Sequence, residues 1–263
     1  MAEERVYHLD LGRQDVGGAR CAFLPGDPGR VPLIATTFDP RARELAFKRE
    51  YRTWVGRLDG TPVLVTSTGI GGPSTSIAVE ELARLGVKVF LRVGTTGAIQ
   101  SEIRNGDIII TTGSVRLEGT SAHYAPIEYP AIGDHGLVSA LVRAARDEGV
   151  KYWVGITASS ATFYPGQERY DCFSGYVIRT LRGSLKEWEA LRVLNYEMES
   201  STLFVVCSVL GLRAGCVSGV IAERDEGEHV DRSKAQSTIE TAVRVAVRAM
   251  RSIVAEDPSC TTS

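Results

Sequence analysis

The chain has 263 residues, 43% of them apolar and 24% charged, with a formal net charge of −2. That composition is ordinary for a globular protein and the length is enough to bury a large core. The near-neutral balance argues against binding to a nucleic-acid backbone, so an anionic ligand would need a local cluster of arginines. Five cysteines, an odd number without CxxC spacing, argue against a disulfide framework or a zinc site and point to a reducing cytoplasm. The first residues form no apolar leader and no stretch approaches 18 apolar residues, so no membrane partner is expected.

In chain order, short β-rich runs alternate with amphipathic helices. Residues 19–24 read as a strand, followed by a loop at 25–30 and a helix opening at Pro28, where a missing N–H costs nothing. Strands at 51–58 and 61–68 flank Asp59-Gly60, a two-residue hairpin signal. Gly71, Gly72 and Pro73 lead into a helix whose Ala78, Leu82 and Leu85 share a face, with Gly86 closing it. The apolar run 87–93 reads as a buried strand and 107–114 as another. Asp134 is placed as the N-cap of a helix with Leu137, Leu141 and Ala145 inward, stopping at Gly149. A strand at 152–159, a helix at 199–210 and a strand at 215–222 follow. Asp231 caps a long last helix whose Ile239, Val243, Ala246, Met250 and Ile253 form one stripe. The fold class is α/β: one domain over 1–255 with a twisted mixed central β-sheet flanked by helices, and a disordered tail at 256–263. In such sheets ligands gather beyond the carboxyl ends of the strands.

Glycine clusters follow three of the strands: Pro-Gly-Asp-Pro-Gly-Arg at 25–30, Gly-Ile-Gly-Gly-Pro-Ser at 69–74 and Gly-Thr-Thr-Gly at 94–97. None is a Walker loop or a dinucleotide fingerprint. Arginines stand beside two of them. Arg30 ends the first loop, and Arg92 sits inside an apolar strand, one residue from its end and two before the third cluster. A buried guanidinium is costly unless paired, so Arg92 is read as meeting an anionic ligand, with an internal carboxylate as the alternative. Arg49 either joins them or pairs with Glu50 at the surface. Two or three arginines and glycine-rich backbone would suit a phosphate dianion.

The run Thr-Phe-Tyr-Pro-Gly-Gln-Glu-Arg-Tyr at 162–170 joins a flat ring (Phe163), a neutral amide (Gln167) and a permanent cation (Arg169) beside a Pro-Gly turn. An aromatic face, an amide and a guanidinium fork suit a small heterocycle carrying carbonyls. Glu197 and Glu199 bracket Met198 at the start of a helix. Such acids are often only dipole partners, yet a carboxylate there could accept both hydroxyls of a ribose, with Met198 packing on the sugar. His123, His135 and His229 share no metal-ligand spacing.

Taken together, the runs at 25–30, 67–76, 92–98, 162–170 and 195–200 make the chain similar, over nearly its whole length, to the nucleoside phosphorylase-I family in its uridine-cleaving branch. The resemblance implies reversible phosphorolysis of uridine to uracil and ribose 1-phosphate, with no organic cofactor. It implies that Gly26, Arg30, Arg92 and Thr95 bind phosphate, joined by Arg49 from a neighbouring subunit. Glu199, Met198 and Thr95 would hold the ribose, and the neighbour's copy of His8 its 5′-hydroxyl. Phe163, Gln167 and Arg169, with Tyr196 and Glu197, would hold the uracil, and Arg224 would lie near its rim. Arg169, Gln167, Glu199 and Arg92 would carry the chemistry. The resemblance further implies a hexamer of three dimers and a monovalent cation, K+, at Glu50, Ile70 and Ser74. One departure stands out: the family pattern expects an amide before the rim arginine, and this chain has Glu223. The competing readings are a purine nucleoside phosphorylase or a nucleosidase on the same fold, and a non-catalytic nucleoside binder.

Overall fold

A computed structural model of the chain describes residues 5–224 and 230–256. The middle of its sheet is β5 (Val89–Ala98), which runs parallel to β1 (Cys21–Leu24) on one side and to β10 (Arg213–Glu223) on the other. Beyond β1 lies β4 (Thr61–Thr66), also parallel, and then the antiparallel strands β3 (Tyr51–Leu58) and β2 (Arg43–Lys48). Beyond β10 lies β6 (Ile108–Leu117), antiparallel, then β8 (Tyr152–Ser160), parallel to β6. The three-residue β9 (Asn195–Glu197) pairs with β8 and returns antiparallel to β5, so β5, β10, β6, β8 and β9 close a ring. A short β7 (Ala131–Ile132) adds to β6.

This closure positions the site. On one side of β5, β1 stops where Leu24 faces Arg92, and β9 takes over only where Tyr196 faces Gly97. Residues 93–96 of β5 therefore have no strand neighbour on that side, and a gap opens in the sheet. The glycine run at 94–97, read above as a turn after a strand, is part of β5 itself because β10 pairs it throughout.

Alternating side chains of β5 feed two cores. Val89, Leu91 and Val93 pack with α1 (Arg30–Phe38), α3 (His135–Asp147) and α6 (Arg232–Glu256). Phe90 packs on the opposite face with α2 (Gly72–Leu85) and α5 (Ser200–Val209), and Arg92 falls on that same face two residues on. Local signals behave as read at several points. Asp59 and Gly60 both take positive φ, +50° and +90°, as a tight hairpin turn needs. The Asp134 carboxylate accepts from Leu137 N at 2.9 Å, and Asp231 accepts from Ser233 N at 3.0 Å. The first helix starts at Arg30, two residues later than read, because Pro28 and Gly29 belong to the preceding turn. Strands β2 and β9 and the short α4 (Ser184–Ala190) were not anticipated. Of the tail read at 256–263, Glu256 ends α6 and 257–263 lie outside the described residues, as does His229. Among the described residues no helix is long and apolar enough to cross a membrane.

Candidate active site

The gap beside β5 opens into a cavity of about 760 Å³, within the size range of small-molecule sites. One end is built from strand ends and glycine turns. Gly69 N donates to Gly26 O at 3.0 Å and Thr68 N to Pro25 O at 2.9 Å, which stitches the two turns together. A Cβ at Gly26 would come within 3.1 Å of Gly69 O, so a side chain there would push the turns apart by a few tenths of an ångström.

Arg92 is 5% exposed and lies at the floor of this end. Its Nε donates to Glu197 Oε2 at 3.0 Å, and its Nη2 to the Glu199 carboxylate. The internal carboxylate, the less favoured alternative on sequence grounds, is thus present twice over. Yet Arg92 Nη1, also buried, has no hydrogen-bond partner among the described residues. Burial works against the Arg92 charge, but Glu199 and Glu197 outweigh it and hold its pKa above the ordinary value. Burial pushes the Glu199 carboxyl above its usual range, with Arg92 pulling the other way. Glu199 Oε1 also accepts from Gly71 N at 2.5 Å, which ties the second glycine turn to the start of α5.

Glu197 faces the cavity, but its oxygens accept from Arg92, from the N–H groups of Glu199 and Ser200 at 2.9 Å, and from Ser200 Oγ at 2.6 Å. This carboxylate braces Arg92 and the N-terminus of α5. Contact with uracil, expected from the resemblance, is not what its partners favour. Arg30, at the start of α1, lies 3.8 Å from Asp27 and is held below its ordinary pKa by burial, with the like charge of Arg92 acting in the same direction. Two cations share this end, and one N–H is left over.

The other end of the cavity is a loop. Pro165–Gln167 forms a single 3-10 turn, closed by Arg169 N donating to Tyr164 O at 2.8 Å and Gly166 N to Thr162 Oγ1 at 2.8 Å. Glu168 adopts positive φ, +52°, and its carboxylate turns away to accept from Gly183 N at 2.5 Å and Leu185 N at 2.7 Å at the start of α4. Gln167 and Arg169 turn the opposite way, into the cavity. The Arg169 guanidinium sits 4.0 Å from the centre of the Phe163 ring, a cation–π contact, and burial lowers its pKa. Phe163 is 46% exposed and lines the mouth.

Thr95, Tyr196 and Met198 also line the cavity, as do Glu50 and Ile70. Ser74 does not line it; its Oγ donates to Ile70 O and Gly71 O, both at 3.2 Å. His8 and Arg49 lie outside this chain's cavity. His8 is fixed by Glu81, which meets its Nδ1 at 2.7 Å and its backbone N at 2.9 Å. Arg49 occupies an exposed positive-φ turn. Arg224, expected at the uracil rim, is 5% exposed and lies behind Gln167 instead, its Nη2 donating to Gln167 O at 2.7 Å. Burial, reinforced by nearby Arg169, lowers its pKa to about 10. Glu223 points elsewhere and accepts from Asn105 N at 2.8 Å. Sequence reasoning missed the apolar wall of Ile221, Ala222 and Val230, which carries no chemical signal. It also missed Thr96, which lines the cavity and whose Oγ1 bonds Tyr196 O at 2.6 Å. Among the described residues no three His, Cys, Asp or Glu side chains cluster as metal ligands.

Residues 20–255 match the Phosphorylase superfamily. The chain is 53% identical over 254 residues to uridine phosphorylase of Escherichia coli (strain K12), covering 97% of this chain and 100% of that protein. It is 50% identical over 226 residues to uridine phosphorylase of Thermococcus kodakarensis, covering 86% and 80% respectively. To guanosine phosphorylase of Halorubrum lacusprofundi it is 37% identical over 253 residues, covering 94% and 98%.

Proposed function

The chain belongs to the phosphorylase superfamily, and on that premise we infer that it cleaves uridine reversibly with inorganic phosphate, yielding uracil and ribose 1-phosphate. It is a pentosyltransferase. The observation that carries the reading is Arg92 Nη1, a buried guanidinium N–H left without a partner beside a second arginine, Arg30. A buried unpaired donor is costly, and a bound dianion removes that cost.

The reaction breaks the bond between C1′ and the pyrimidine N1, whose electron pair leaves with the base. A phosphate oxygen bonds to C1′, and the proton of hydrogen phosphate ends on N1 through solvent. Arg30, Arg92 and Thr95, with the backbone at Gly26, hold the phosphate beneath the sugar. Glu199, kept in place by Arg92 and Gly71, accepts from the ribose hydroxyls, and Met198 packs on the ring. Gln167 and Arg169 donate to the base as it becomes an anion, so their bonds strengthen in the transition state. Phe163 covers its face.

Two features favour uridine over a purine nucleoside. The identity to uridine phosphorylases, 41–53%, exceeds the 37% to a guanosine phosphorylase. Glu223, the departure from the family pattern, is engaged with the 104–105 turn and does not line the cavity, so it adds no acid to the base end. Phosphate-binding arginines argue against a hydrolase and against a mere binder.

His8 and Arg49, lying outside their own chain's cavity, support an assembly in which each serves a neighbour, a hexamer of three dimers. Ile70 O, Ser74 Oγ and the Glu50 carboxylate are hard oxygen donors, and the Glu50 Cγ and Ser74 Oγ both lie beside Gly69, which suits K+; it would cross-link the subunits. Phosphate is co-substrate, and no organic cofactor, nucleic acid or membrane takes part. Among the described residues Cys172, Cys207 and Cys216 are free thiols, which suits the cytoplasm. The test is uracil release from uridine followed by ultraviolet absorbance: turnover should require phosphate and be slow with inosine. Phosphate-independent release, or inosine turnover equal to that of uridine, would overturn the reading.

A further inference from the structure

Glu223 and Arg224 are consecutive residues at the end of β10 and leave it on opposite sides, as strand geometry dictates. Glu223 turns outward. Its carboxylate accepts from Asn105 N at 2.8 Å and Arg104 Nη1 at 3.2 Å, clamping the strand end to the turn before β6. Arg224 turns inward. Its backbone N donates to Ala98 O at 2.9 Å, and its stem passes so close to β5 that a Cβ at Gly97 would lie 3.1 Å from Arg224 Cδ. The guanidinium then lies over the Tyr196 ring, 5.5 Å from its centre, and reaches Gln167 from behind.

Two donors meet Gln167 there. Nη2 bonds the main-chain oxygen at 2.7 Å, and Nη1 approaches the side-chain Oε1 at 3.4 Å. An amide beside a guanidinium has one acceptable orientation. With Oε1 toward the cation it accepts; flipped, its NH2 would face further donors and both would lose a partner. Arg224 thus takes one lone pair of Oε1 and leaves the other, with the NH2 of Gln167, for the cavity beside the Arg169 fork.

Building on the uridine reading above, we propose that Arg224 is a positioning residue that sets the orientation of the Gln167 amide from behind the cavity, and that Glu223 anchors the strand end from which it acts. The base end then presents the Gln167 NH2 and the Arg169 fork to ring carbonyls and the second lone pair of Gln167 Oε1 to a ring N–H, and so selects a heterocycle whose edge alternates acceptor and donor. Arg224 needs no contact with the ligand.

A double-mutant cycle on the full-length enzyme decides this. Gln167→Ala, Arg224→Ala and the double variant are compared by kcat/KM for uridine and by KM for phosphate. Each single change should lower kcat/KM by about 10-fold or more, and the double variant should be no worse than Gln167→Ala alone, since residues acting through one another are non-additive. Phosphate KM should hold in all three, and Arg224→Lys should recover part of the loss. A double variant that falls by the product of the single effects would mean that Arg224 meets the base directly. A loss of phosphate binding in Arg224→Ala equal to the loss for uridine would mean general collapse. Either result overturns the proposal. For the anchor, Glu223→Ala should raise uridine KM while Glu223→Gln, which keeps an acceptor for Asn105 N, should not; no change in Glu223→Ala removes that half. Absence of uridine turnover in the wild-type enzyme would sink the substrate reading alone, because the cycle can be measured with whichever nucleoside the enzyme does cleave.

Discussion

At the anion end of the cavity Arg92, Glu197 and Glu199 come from a central strand, a short strand and the first residue before a helix, and each is braced by the others. At the base end Phe163, Gln167 and Arg169 ride on a loop whose own hydrogen bonds are local. That loop is fixed by groups facing away from the cavity, Glu168 into α4 and Arg224 from β10. The contrast separates two costs. Buried charge at the first end binds stability and activity together. At the second, the groups that meet the base and the groups that hold the loop are different residues, so the two properties can be lost separately.

The largest effect should follow Arg92→Ala. It strands two buried carboxylates, and breaking such a network costs about 3–5 kcal/mol. Urea unfolding should show that loss together with near-complete loss of phosphorolysis; an inactive variant of unchanged stability would break the comparison at its first term. Arg169→Ala should behave differently. Its kcat for uridine should fall by about 10²–10³-fold, as when a transition-state donor is removed, with phosphate binding and stability nearly unchanged. Steady-state kinetics in both substrates, beside a melting curve, would show whether the base end is as separable as the geometry implies.

Glu168→Ala sharpens the other half. Loss of the carboxylate that caps α4 should cost about 1 kcal/mol and raise uridine KM by loosening the loop, leaving phosphate KM alone. Against the cost of burial, the N–H groups of Leu185 and Gly183 hold this carboxyl below its ordinary pKa. A depressed carboxylate contributes stability above its unfolded pKa and loses it as pH falls through the folded one. Wild type and Glu168→Ala should therefore differ near neutrality and converge in acid, as read by unfolding across pH. A gap that widens in acid would contradict the assignment.

Much of this was legible in the chain because the signals were local. The Asp59-Gly60 turn, the Asp134 cap and the apolar stripe of α6 depend on near neighbours. The 162–170 run carries its ring, amide and guanidinium within seven residues of one another. What escaped depends on distant segments. Glu197 and Arg92 stand 105 positions apart, so the spacing revealed a carboxylate but not the partner that occupies it. β9 is too short to announce itself, and without it the gap beside β5 does not follow; the strand character of 94–97 comes from β10, more than a hundred residues away. Glu223 looked like a change of chemistry at the base end. Strand alternation turned it outward.

The most direct test is a crystal soaked with phosphate and uracil. Phosphate should bond Arg30 and Nη1 of Arg92, and uracil should lie on Phe163 with its carbonyls toward Gln167 and Arg169. A pocket left empty around Arg30 and Arg92, or an anion bound elsewhere with Nη1 still unpartnered, would contradict the assignment of that end to phosphate.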